Sequence, residues 1–242
     1  MERIDKIISS ALNISRSDAR ALIKKGLVTV NGSAVRSISQ HVDENSDELF
    51  CRGEKITYSK YVYIMMNKPA GVISASEGKG EPTVTDILPD EMKRRNLFPA
   101  GRLDKNTTGF MLITDDGDFA HRILSPKNHI PKTYVAVLDK PFDSIVAEDF
   151  EKGMTLGDEV CMPAQISALD EEKRVAQVTI RQGMYHQIKR MFSKHGITVE
   201  ELKRIKMGSL ELDKSLKEGE CRYLTARELE EIEKKIIATN CI

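Results

Sequence analysis

Asp104 is the side chain of this sequence best placed to do chemistry. It closes the string Gly101-Arg102-Leu103-Asp104, which runs through Lys105-Asn106-Thr107-Thr108-Gly109 into the apolar run Phe110-Met111-Leu112-Ile113. A carboxylate and a guanidinium two residues apart thus precede a turn and then a short buried strand. That layout holds an acid rigidly at the mouth of a sheet. An ionised carboxylate there can add to an electrophilic carbon or remove a proton. An Asp after Leu in a loop is, by itself, equally a turn or capping residue; the string around it has to decide.

Two further clusters could serve such an acid. Lys132-Thr133-Tyr134 opens an alternating run, residues 132–137, that reads as a strand. By spacing alone its Tyr packs its ring in the core with the hydroxyl at the surface, as is common in strands. The string Gln182-Gly183-Met184-Tyr185-His186-Gln187-Ile188-Lys189-Arg190-Met191-Phe192 carries a helix over residues 185–195, ended by Gly196, with Ile188, Met191 and Phe192 as its apolar positions. By spacing alone Lys189 and Arg190 form a solvated helix face. Gly78-Lys79 fails as a phosphate loop because Ile73 and Gly80 break the pattern. Lys206-Met207-Gly208-Ser209 has no companion adenylate-binding signature and is set aside.

The elements that must position these residues follow from periodicity. The 242 residues are 40% hydrophobic and 31% charged, enough for two domains with real cores. Net charge is zero, which excludes nucleic-acid binding through overall charge and leaves local clusters. Residues 181–206 hold such a cluster, seven Lys or Arg against two acids, whereas acids outnumber bases eight to six from Glu211 onward. Ile4, Ile7, Ile8, Ala11 and Leu12 fall on one helical face. Ser15-Arg16-Ser17-Asp18 forms a capping box for a second helix ended by Gly26, and Asn31-Gly32 joins a hairpin. Arg16, Arg20 and Lys24, four apart, share one face of that second helix: a phosphate-binding rail or an ordinary solvated face.

Residues 53–60 read as a linker and residues 61–66 as a strand; residues 74–82 read as a loop and 84–96 as a short helix broken by Pro89. Beyond the Phe110 run come a turn at Asp115-Asp116-Gly117, a helix over 118–124, strands near 160–166 and 175–181, and a last helix over 225–237 with Leu229, Ile232 and Ile236 inward. Strands and helices mix without βαβ alternation, so the fold class is α+β, with domains at 1–58 and 59–242. The cysteines, Cys51, Cys161, Cys221 and Cys241, are dispersed without metal-ligand spacing and read as reduced thiols. With no apolar segment of signal or membrane-spanning length, the expected compartment is the cytoplasm.

Taken together, the motifs resemble a known family. G-R-L-D, T-x-G, an apolar strand and Thr114-Asp115-Asp116-Gly117, in that order, resemble the catalytic motif of the pseudouridine synthases, in particular the RsuA-type branch that modifies ribosomal RNA. The resemblance implies that Asp104 is the essential catalytic residue and that Tyr134, from the family's K-x-Y motif, packs against the target base. The 182–192 string is similar to the family's G-x-x-H-Q-[VI]-[RK]-R-M-F segment. It implies Lys189 as the cation paired with Asp104, Ile188 as the apolar floor under the uracil, and His186, Gln187 and Arg190 on the substrate side, with Arg102 as a phosphate or base contact. Gln182 stands where relatives usually have Glu. The R-S-D-A-R-x-L-I-x-x-G-x-V-x-V-N-G string resembles the RNA-binding domain named after ribosomal protein S4, over roughly residues 2–52. It turns Arg16, Arg20 and Lys24 into expected RNA contacts.

The implied reaction moves uracil from a nitrogen to a carbon linkage on its ribose. It needs no redox step, so the resemblance implies neither cofactor nor metal. Met184-Tyr185-His186-Gln187 is closer to the small-subunit enzymes than to large-subunit relatives with Asn-Arg-Gln. The expected partner is therefore 16S ribosomal RNA or a small-subunit assembly particle, met by a monomer. A large-subunit or transfer-RNA synthase, or a non-catalytic RNA-binding assembly factor, are the alternatives.

Overall fold

The computed structural model describes residues 1–43, 46–125, 127–128 and 130–233. The chain divides into two compact units: residues 1–62 with 88–97, and residues 63–87 with 98 onward.

In the first unit, α1 (Ile4–Ala11) buries Ile4, Ile7 and Ile8, and α2 (Arg16–Lys24) buries Ala19 and Ile23. Leu12 lies just past α1 and is exposed. Ser15 caps α2 by accepting the Asp18 N–H at 3.1 Å. A four-stranded antiparallel sheet packs against both helices, formed by β1 (Val28–Val30), β2 (Ser33–Ala34), β3 (Leu49–Cys51) and β4 (Glu54–Ile56) in the order β2-β1-β3-β4. Residues 53–60 are therefore not a plain linker. Arg52 and Gly53, both at positive φ, make a tight turn that brings Glu54–Ile56 back onto β3. Only one 3₁₀ turn, Asp90–Met92, forms within the stretch expected to be helical. Pro89 stops anything longer.

The second unit is built on a sheet that is nine-stranded among the described residues. Its path uses β5 (Tyr63–Lys68), β6 (Thr108–Thr114), β7 (Lys132–Leu138), β8 (Gln165–Ala168), β9 (Val175–Ile180), β10 (Val199–Met207) and β11 (Cys221–Tyr223), in the order β8-β9-β7-β10-β6-β5-β11. Every pair is antiparallel except β10–β6, which is parallel and has two residue pairs, Lys203 with Thr108 and Arg204 with Gly109. This short seam joins two antiparallel halves. β6 is buried on both faces, which is why its sequence is apolar without alternation.

Helix α3 (Gly117–Leu124), capped by Asp116, and the last helix, described over Ala226–Glu233, cover Met65, Phe110 and Leu112. Ile236, expected inward, and Cys241 lie outside the described residues. Cys51 and Cys161 are buried free thiols, and Cys221 is partly buried. Helices over Ser144–Lys152 and Gln187–Ser193 (α4 and α5) share an aromatic cluster of Phe142, Phe150 and Phe192. The strand expected near 160–166 is two pieces, Glu159–Val160 and β8, separated around Pro163, which has no N–H to offer a ladder. Among the described residues no helix is long and apolar enough to cross a membrane.

Candidate active site

The loop from Gly101 to Thr107 is held from beneath by the segment that follows β5. Lys68, fully buried at the end of that strand, donates from Nζ to the carbonyls of Pro69, Lys105 and Thr107, each at 3.0 Å. Gly71 N–H donates to the same Lys105 carbonyl at 3.0 Å. Ser74 clasps Leu103 twice, its hydroxyl donating to the carbonyl at 2.8 Å and accepting from the amide at 3.0 Å. Asp104 therefore sits on a backbone fixed on either side of it. Its own side chain is left for other work and is 29% exposed.

Three groups meet that carboxylate. Lys189 Nζ is 3.6 Å from Oδ2, and His186 Nε2 is 3.4 Å from Oδ1. Thr107 Oγ1 donates to Oδ2 at 3.4 Å. The carboxylate opens into a small pocket of about 70 Å³, with Tyr134, Ile188 and Leu202 among its apolar walls and Arg102 at its edge. Residues opposite each other across the sheet share a face. One such row runs Lys68, Gly109, Arg204, Tyr134, Val178. Gly109 must be glycine here: its φ is +95°, and a Cβ would lie 2.2 Å from the Arg204 carbonyl oxygen. The site straddles the seam. Asp104 precedes β6 on one side, and Tyr134, His186, Ile188 and Lys189 belong to the other half.

Buried cations underlie this row. Burial pushes the Lys68 ammonium down to about 8; the Asp104 charge works against that shift and Arg204 adds to it. Lys132, whose Nζ donates to the Ile130 carbonyl, is also brought down to about 8 by burial and then by Arg204. Arg204 is 1% exposed and donates from Nε to the Phe110 carbonyl at 2.7 Å across the seam.

Of the residues expected at the site, Asp104, Arg102, Tyr134, His186, Gln187, Ile188 and Lys189 all line or face the pocket. Gln187 does so as a brace: it is buried, and its Oε1 accepts the Met184 N–H at 3.2 Å, shaping the turn before α5. Arg190 is not brought to the pocket. Its guanidinium is bound to Glu159 at 2.6 Å and to the Leu156 carbonyl at 2.8 Å. It points away because it lies one residue past Lys189, about 100° around the helix. Gln182 explains its own departure from Glu: Oε1 accepts the Met162 N–H at 2.7 Å while Nε2 donates to the Val160 carbonyl at 3.4 Å. A carboxylate could not make that second bond. Lys68, Ser74, Leu202 and Arg204 escaped the sequence reading. The one available signal was a lysine ending an apolar strand directly before Pro69.

In the first unit, the stripe Arg16, Arg20 and Lys24 is not three equivalent cations. Asp5, fully buried on α1, receives Arg20 Nε at 3.0 Å and Arg3 Nε at 3.1 Å, and Arg16 Nη2 stands 3.8 Å away. Burial raises the Asp5 carboxyl, but the Arg20 and Arg3 hydrogen bonds outweigh it and hold the group below its ordinary value. The outer parts of Arg16 and Arg20 stay exposed, as does Lys24.

The model of the RNA pseudouridylate synthase family matches residues 62–194, and that of the S4 domain matches residues 2–47. The chain is 42% identical to the uncharacterized RNA pseudouridine synthase YtzG of Bacillus subtilis, covering 94% of this chain and 96% of that protein. It is 40% identical to the ribosomal small subunit pseudouridine synthase A of Vibrio vulnificus, over 95% and 99% of the two chains, and 38% identical to the protein of that name from Escherichia coli, over 94% and 98%. A crystal structure of a pseudouridylate synthase superposes with a TM-score of 0.67 at 37% identity, covering 96% of this chain and all of the other. With a family match over more than half its length and relatives near 40% identity end to end, this chain belongs to the RNA pseudouridylate synthase family.

Proposed function

We propose that this protein converts a uridine of 16S ribosomal RNA to pseudouridine in the cytoplasm, acting as a monomer with residues 1–58 as an RNA-binding module and 59–242 as the catalytic domain. The observation that carries the site assignment is Asp104: a half-open carboxylate on a tethered loop, flanked by a cation and facing a pocket with Tyr134, Ile188 and Leu202 among its walls. The reaction breaks the N1–C1′ bond of the uridine and forms C5–C1′; C5 gives up a proton and N1 takes one. An ionised Asp104 suits addition to the sugar, addition to the base, and removal of a sugar proton alike. Lys189 stands 3.6 Å from that carboxylate as a point charge rather than a bidentate fork. Ile188 and Leu202 supply an apolar floor, and Arg102 holds the flipped nucleotide at the rim. The names carried by the Vibrio vulnificus and Escherichia coli relatives support the small-subunit substrate.

Mapping pseudouridines in ribosomal RNA from cells with and without the gene tests this reading directly. One 16S position should lose its modification and regain it on incubation with the purified protein. Loss at a 23S or transfer-RNA position instead would move the substrate, and no loss anywhere would remove the assignment.

Tyr134 should act by its ring. Tyr134→Phe should keep much of the turnover and Tyr134→Ala lose nearly all of it, since base–aromatic stacking contributes about 1–3 kcal/mol. Single-turnover assays following bond cleavage and final product separately decide. A Phe variant that cleaves but stalls before product would assign proton transfer to the hydroxyl.

Arg16, Arg20 and Lys24 should bind phosphates without reading sequence. Replacing all three with Ala should lower the slope of log affinity against log salt by about 0.7 to 0.9 for each phosphate no longer neutralised. An unchanged slope would leave the stripe a solvated face anchored on Asp5.

A further inference from the structure

The pocket at Asp104 opens into a second, larger cavity of about 710 Å³. The two share Arg102, Leu103, Asp104, Gly183, Met184 and His186. The outer one adds Ser74, Ala75 and Lys105 on one side and Tyr185 on the other. It has ten times the volume of the inner pocket, more than the target base alone would fill.

Tyr185 is anomalous where it stands. It is 72% exposed, a large aromatic held out into solvent beside a catalytic carboxylate. Its ring stacks on the His186 imidazole at 3.8 Å between centroids and 18° between planes, leaving its other face uncovered by that stack. His186 takes a left-handed backbone conformation, φ 48° and ψ 34°, which a residue with a side chain adopts only at a cost. The same imidazole stands 3.4 Å from Asp104. Ring, imidazole and carboxylate thus form a chain from the outer cavity to the reacting centre.

We propose that Tyr185 is the stacking platform for the base adjacent to the target uridine, and that the outer cavity is the subsite for that nucleotide. The inference rests on the pseudouridine synthase reading of the site and extends it. A flipped nucleotide stays covalently joined to its neighbours, which lose a stacking partner where it left. An aromatic face at the mouth of the pocket matches the exposed face of such a neighbour, whichever base it carries. The stack reaches further than binding. A base seated on Tyr185 presses on His186 and holds the imidazole at Asp104, so occupancy of the subsite also sets the geometry of the acid.

The test is a cycle between protein and RNA. Tyr185→Ala and Tyr185→Phe are assayed on an RNA stem-loop spanning the mapped uridine, and on two derivatives lacking the base 5′ or 3′ to it. A single-uridine heptamer and its two abasic forms serve as the probe if mapping yields no site. Tyr185→Ala should weaken RNA binding about 10- to 100-fold, the range of one missing base stack, and Tyr185→Phe should not. One of the two abasic RNAs should bind wild-type protein equally weakly and lose nothing more on Tyr185→Ala. Turnover at saturating RNA should also fall in Tyr185→Ala, more than for a surface control such as Val160→Ala. Losses that multiply on both abasic RNAs, or a Tyr185→Ala variant that binds as wild type, would overturn the platform. Absence of pseudouridine from wild-type reactions would overturn the underlying reading instead, while the binding cycle would still decide the platform.

Discussion

Asp104→Asn should end product formation and leave RNA bound. The rate should fall by about 10⁴-fold or more, the scale on which a positioned base or nucleophile contributes. The amide keeps the size of the carboxylate and removes its charge and basicity. The fold should not notice, because the tethers on this loop go to the backbone of Leu103, Lys105 and Thr107. Tritium release from C5-labelled uridine in RNA measures turnover, and filter binding measures affinity. Substantial product from the purified variant would show that another group does the chemistry. The substitution also removes the anion that favours the Lys68 ammonium, so Lys68 should titrate further below its present value of about 8.

Lys68→Met should be nearly as damaging, without touching substrate. Methionine fills the space but leaves the carbonyls of Pro69, Lys105 and Thr107 without their common donor. The Lys105 carbonyl keeps the Gly71 N–H; the other two cost about 1–3 kcal/mol each when unmet, offset in part because a charge no longer has to be buried, and a net loss of about 2 kcal/mol is expected. Turnover should fall about 100-fold, the effect of displacing a reacting group by an ångström. Affinity for RNA should hold.

The wild-type pH profile supplies an independent check. Lys68 and Lys132 give up their protons near 8 when folded, against an ordinary lysine value of 10.5. Between those values the unfolded chain carries more protons, so raising the pH through that window adds stability from these two groups. In Lys68→Met about half of that gain should vanish from the urea midpoints. Equal pH slopes in the two proteins would place the Lys68 proton outside the folding equilibrium.

Much of this was legible in the residues themselves. Helices α1 and α2 and the Asn31-Gly32 hairpin announce themselves by period, cap and turn chemistry, and β6 by its unbroken apolar run. The long strand β10 did not. Between Glu200 and Lys206 five of seven residues are charged, and Arg204 is a buried arginine that no hydrophobic pattern reveals. Helix α4 hid in the same way, with only Val146 and Phe150 buried. In the site, the groups that face the pocket stand in recognisable strings. The groups that hold those strings, Lys68 and Ser74, act on backbone carbonyls and amides, and such bonds leave no trace in side-chain spacing. Arg190 misled for the converse reason: a basic residue beside Lys189 in sequence is on another side of the helix in space.

The two-residue seam between β6 and β10 has a consequence for how the protein is made. Asp104 and Lys189 are 85 positions apart, and they can face each other only once β10, which ends at Met207, has docked beside β6. On the ribosome β5 and β6, which flank the acid's loop, are synthesised long before its counter-charge, while β11 of the same half follows it. Nascent chains short of β10 have every motif of the acid's loop and no active site. Pairing of this kind, parallel and distant in sequence, is slow to form. In refolding from urea, catalytic activity should therefore return after the far-ultraviolet signal of the helices and hairpins, with the rate of the last strand to find its place.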